Sequence, residues 1–166
     1  MSTTLSLQEA LDDLTKAFPP HPLDPERAFD AWGGTYGNVD DFKAGVRGRP
    51  WTALEPGFLE FHHDSLFFLG PESFADYLPA FLAAVVRRDE VLSALPMFLL
   101  GALTRSEEDP EEAKRFDARI APLTHEQRRA VARALEVLEA SHEFPHNQRD
   151  VARPLDSYWR ALADRS

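Results

Sequence analysis

Gly70-Pro71-Glu72-Ser73-Phe74-Ala75-Asp76-Tyr77-Leu78-Pro79-Ala80-Phe81-Leu82-Ala83-Ala84-Val85-Val86 is the stretch on which the fold turns. Phe74, Tyr77, Leu78, Phe81, Leu82, Val85 and Val86 recur at the i, i+3, i+4, i+7, i+8 spacing of one helix face. Pro71 stands at a first helical position, where a missing N–H is no loss, and Glu72 sets negative charge at the positive end of the helix dipole. The opposite side, around Ala80, Ala83 and Ala84, is small rather than charged, so a second element can approach closely. The spacing predicts a central helix wrapped by its neighbours.

Upstream, Leu7, Ala10, Leu11, Leu14 and Phe18 form a helical stripe that Pro19-Pro20 stops. Residues 1–22 can be read either as docked on the domain or as a separate leading helix. Asp24-Pro25-Glu26 has the grammar of a helix start, with Ala28, Phe29 and Trp32 on one face and Gly33-Gly34 as its end. Asn38 is expected to cap a short helix with Val39, Phe42 and Val46 inward. Residues 56–69 read as helix, turn and extended segment. Downstream, Asp89 is expected to cap a helix carrying Val91, Leu92, Leu95, Phe98, Leu99, Ala102 and Leu103, apolar nearly all round and therefore buried on most sides. Pro79 and Pro96, inside helical patterns, should kink their rods.

Pro110 opens a further helix with Phe116 and Ile120 inward. Thr124-His125-Glu126-Gln127 is a capping box ahead of the buried face Val131, Ala134, Leu135 and Leu138. Residues 147–166 should end the chain in a docking helix bearing Tyr158, Trp159 and Leu162. The fold class expected is mainly α: a single-domain, compact bundle of about six to eight helices spanning residues 1–166, with at most one short extended segment or hairpin.

The 166 residues suffice for one core without staples, and 43% hydrophobic with 28% charged residues is an ordinary globular balance. With no cysteine, disulfides, thiolate metal sites and a cysteine nucleophile are excluded. The formal net charge of −10 repels phosphate backbones and anionic membranes, so neither nucleic acid nor membrane is an expected partner. A basic protein would instead be steered inward. The first residues lack a secretory pattern, and the apolar run from Val91 to Leu103 is broken by Ser93, Pro96 and Gly101, so a cytoplasmic location is expected.

Asp40-Asp41, Phe42, Gly48-Arg49-Pro50-Trp51, the run from Leu66 to Phe74, Tyr77-Leu78-Pro79-Ala80-Phe81, and Leu123-Thr124 with Gln127 form a set of their own. Together they resemble an uncharacterised family of small bacterial proteins marked by a Tyr-Leu-Pro-Ala-Phe helix. The resemblance covers the middle of the chain, leaving out the leading helix and the tail. It implies a fold and carries no catalytic residue.

Three functional readings follow from the residues. In the first, a non-enzymatic binding module, for example an immunity-type protein neutralising a basic toxin, uses acidic surface at Glu107, Glu108, Asp109, Glu111 and Glu112, with Asp40, Asp41 and Tyr36 as further contacts. It needs no cofactor. The alternative is a metal-dependent hydrolase, since the imidazoles of His62 and His63 and the Asp64 carboxylate are of the ligand types that suit zinc or iron. His142 and His146 share a helical spacing that Pro145 interrupts. The third is a structural homo-oligomer whose tail, with Trp159, crosses to a neighbour. No nucleophile elbow, metalloprotease pair or phosphate loop is present.

Overall fold

The computed structural model describes residues 6–29, 35–141, 154 and 158–165. Trp32, the Gly33-Gly34 stop, His142, His146 and the start of the expected tail helix lie outside the described residues. The fold is helical, and the only sheet-like pairing among the described residues is an isolated antiparallel bridge between Phe29 and Leu69.

The chain begins with α1 (Leu7–Ala17), closed by a capping box in which the Ser6 hydroxyl accepts the Glu9 N–H and the Glu9 carboxylate accepts the Ser6 N–H. Its stripe is buried at Ala10 and Leu14 against α7 (His125–Ala140) and α4 (Pro71–Arg87). The Arg133 guanidinium donates to the Asp13 carboxylate at 2.7 Å, and the Gln127 side-chain amide donates to the Ala17 carbonyl at 3.3 Å. The leading helix is therefore docked.

The Asp24-Pro25 start yields only a 3-10 turn, Pro25–Arg27, although Asp24 does cap it by accepting the Glu26 N–H. Next come α2 (Val39–Val46), a 3-10 turn at Trp51–Ala53, α3 (Pro56–Phe61) and a 3-10 turn at His63–Phe67. Asn38 precedes α2 without a side-chain cap, because its own backbone is not extended (φ −107°, ψ 33°). The expected extended run Leu66–Leu69 is for the most part that last turn, with only Leu69 bridging to Phe29.

Helix α4 is the beam the periodicity predicts. Pro71 opens it, and every residue from Tyr77 to Val86 is buried, including Pro79 and the small face at Ala80, Ala83 and Ala84. Burial of each large side chain of this kind stabilises by roughly 1.5–3 kcal/mol. The helix ends at Arg88 in the left-handed region (φ 57°), a position glycine more often holds.

The helix expected from Val91 starts later. Helix α5 is Leu95–Ala102, so Pro96 falls in its first turn, where proline does not break a helical bond. Val91 lies outside it and is exposed, whereas within the helix Leu95, Pro96, Leu99, Leu100 and Ala102 are buried and Met97 is the one large side chain left in water. After α6 (Pro110–Ile120) and α7, the chain closes with α8 (Arg160–Asp164). Trp159, just ahead of α8, is fully buried and donates its indole N–H to the Leu103 carbonyl at 2.8 Å. In this fold the Trp159 indole is held within its own chain.

Candidate functional site

The aromatic end of the molecule is built around His62, the residue that follows α3. Its ring is fully buried among Phe42, Phe58 and Phe61, with centroids 5.3, 4.5 and 4.9 Å away. Nε2 lies 2.8 Å from the Asp41 carboxylate and Nδ1 lies 2.5 Å from the Tyr36 hydroxyl. An ionised carboxylate can only accept, so Nε2 carries the proton, and a neutral ring then accepts the tyrosine O–H at Nδ1. Burial pushes the His62 pKa down, against the hydrogen bond and charge of Asp41, which keeps the ring in this neutral form. Burial, reinforced by the Asp64 carboxylate, holds the Tyr36 hydroxyl protonated far above the ordinary phenol range.

Both nitrogens of His62 are thus spent on a brace between the chain before α2, the first turn of α2 and the end of α3. His63 turns elsewhere. Its Nδ1–H donates to the Glu60 carbonyl at 2.7 Å and its ring meets Phe98 edge to face at 4.3 Å. Asp64, half-buried, puts its negative charge near enough to Tyr36 to raise the phenol pKa. The run His62-His63-Asp64 is divided among three duties, and among the described residues no three His, Asp or Glu side chains are gathered to hold a metal ion. Adjacent positions in a tight turn point apart, which is how three neighbours come to make three different contacts.

The acidic residues divide as well. Tyr36 is interior, not a surface contact. Asp41 is largely exposed yet tied to His62, and Asp40 beside it is exposed. Asp109 is the cap of α6, accepting the Glu111 and Glu112 N–H groups, and Glu112 pairs with Arg115 at 2.7 Å. Glu107, Glu108 and Glu111 are exposed and form no ion pair among the described residues, although Lys114 and Arg115 stand one helical turn beyond Glu111. A cleft of about 240 Å³ lies between α1 and α7, with Asp13, Lys16, Glu126, Arg129 and Arg133 mixing both signs of charge.

One cluster has no counterpart in the sequence reading. The Glu60 carboxylate, on α3, accepts the N–H groups of Ala94 and Leu95 at 2.7 and 3.0 Å and the Ser93 hydroxyl at 2.9 Å. It caps a helix that has no side-chain cap of its own. Burial raises the Glu60 pKa, but the hydrogen bonds from Ala94, Leu95 and Ser93 together prevail and its net direction is down. The clamp joins the end of α3 to the start of α5. Phe61, Val91 and Met97, the large hydrophobics exposed among the described residues, each lie within two positions of a residue in it. A glutamate in mid-pattern before an aromatic residue gives no local sign of this.

A protein-family model, DUF6714, matches residues 4–163 and is described as a family of unknown function. The chain belongs to DUF6714. The match takes in the leading helix and the residues of α8 except Asp164, both of which the Tyr-Leu-Pro-Ala-Phe resemblance leaves out. No curated protein and no solved structure matches the chain. Among the described residues, no helix of this DUF6714 protein is long and apolar enough to cross a membrane.

Proposed function

We propose that this DUF6714 protein is a non-enzymatic binding module that receives a basic protein partner on acidic surface, an immunity-type protein neutralising a basic toxin being one such case. The observation that carries the reading is the set of open carboxylates at Glu107, Glu108 and Glu111. They are exposed and form no ion pair among the described residues, while Asp109 caps α6 and Glu112 pairs with Arg115. Together with a net charge of −10 they favour fast, salt-sensitive encounter with a cationic surface. Such a protein would act in the cytoplasm.

The test is a pull-down from native lysate at low and at high salt, using the natural chain and a Glu107→Lys/Glu108→Lys/Glu111→Lys variant. A basic partner that is retained at low salt, released at high salt and lost by the variant supports the reading. Absence of a specific partner, or one indifferent to the charge reversal, sinks it.

A further inference from the structure

The cleft between α1 and α7 collects cations in a chain whose net charge is −10. The two helices run antiparallel, since Asp13 meets Arg133 while Ala17, further along α1, meets Gln127. Asp13, Lys16 and Ala17 share one face of α1 at the i, i+3, i+4 spacing, and Glu126, Arg129, Ala130 and Arg133 share the facing side of α7 in the same way. With only methyl groups at Ala17 and Ala130, about 240 Å³ stays open between the charged walls. The tethers from Arg133 to Asp13 and from Gln127 to the Ala17 carbonyl hold those walls in place.

The charges in the cleft are not settled among themselves. Asp13 neutralises Arg133 at 2.7 Å, but Lys16, Glu126 and Arg129 are exposed and form no ion pair among the described residues. Lys16 stands in the last turn of α1 and Glu126 in the first turn of α7, where the helix dipoles suit them. Arg129 has no such reason: it lies one turn past Glu126 without pairing to it, and one turn before the like charge of Arg133. The walls carry one positive charge in excess. A bare dianion would meet the cations and also the two carboxylates, whereas a zwitterion of net charge −1 offers each open group its opposite. Its carboxylates suit the fork of Arg129 and the point charge of Lys16, and its ammonium suits Glu126. Size agrees, because pockets for drug-sized ligands and cofactors run from about 300 to 1,000 Å³, and this smaller one suits a molecule of amino-acid size.

We propose that the α1–α7 cleft binds a free acidic amino acid, its carboxylates held by Lys16 and Arg129 and its ammonium by Glu126. This site is independent of the carboxylates at the start of α6, which call for a ligand of the opposite charge.

The test is a titration of the isotope-labelled full chain with L-glutamate, followed by the backbone amide resonances of Lys16, Ala17, Arg129 and Ala130. These should shift saturably in the millimolar range. Lys16→Ala and Arg129→Ala should each weaken binding by about tenfold, the scale of losing one charge-assisted contact, with unchanged melting temperatures because neither side chain is paired in the fold. Glutarate, which is glutamate without its ammonium, should bind about tenfold more weakly on the same scale, and Glu126→Gln should abolish that preference. Absence of saturable shifts at these amides overturns the proposal, and so does undiminished affinity in both alanine variants. Glutarate or inorganic phosphate binding as tightly as glutamate would also overturn it, by making the cleft a plain anion site.

Discussion

Two regions of this molecule hold their helices in different ways. Helices α1, α6 and α7 are each closed from within a few residues, by Ser6, Asp109 and Thr124. Helices α2, α3 and α5 have no side-chain cap of their own. They are short and are kept in place by polar clamps from distant positions: Tyr36 and Asp41 on His62, and Glu60 on the start of α5. The first kind of helix can form its ends before the core assembles. The second kind exists only in the assembled fold, so its stability is concentrated in a few buried polar groups.

The difference predicts unequal losses. Replacing His62 with Ala should cost most, about 3 kcal/mol, since it strands the buried Tyr36 hydroxyl and opens a void among the phenylalanines. Urea unfolding would measure it, and a loss well under that of an ordinary cap would break the comparison. Glu60→Ala should follow at about 2 kcal/mol, because two partly buried N–H groups lose their acceptor together. Thr124→Ala, which removes a local cap on a helix already held by packing, should cost about 1 kcal/mol in the same assay.

The smallest effect expected is in pH. The folded His62 pKa lies below the ordinary 6.5, so the unfolded chain takes up the proton first. This contribution to stability is complete above pH 6.5 and is lost as pH falls toward the folded value. Glu60, lowered from 4.5, should add a second decline below that pH. Unfolding midpoints for the natural chain and His62→Ala should therefore converge as pH drops from 7 to 5; parallel curves would mean that the ring carries no linkage.

What was legible in the sequence follows the same division. The α4 beam, the capping box at Thr124 and the buried Trp159 are marked by local spacing, and the structure has them where that spacing puts them. Helix α5 starts later than the pattern suggests because a segment apolar on all sides has no phase to show where it starts, and Pro96 reads equally as interior or first turn. Asn38 has the right chemistry for a cap but the wrong backbone. The brace joins residues 26 and 21 positions apart and the Glu60 clamp reaches 34, and no short-range pattern announces such partners. For the same reason the sequence offers Tyr36 as a candidate contact while the structure buries it.

The docking of α1 has a consequence for how the protein is made. Its tethers to α7 join positions 110 and 120 residues apart. During translation the greasy stripe of Leu7, Leu11 and Leu14 therefore emerges long before its berth exists, and must wait unsheltered while most of the polypeptide is still being synthesised. Chaperones that scan nascent chains would find a handhold there.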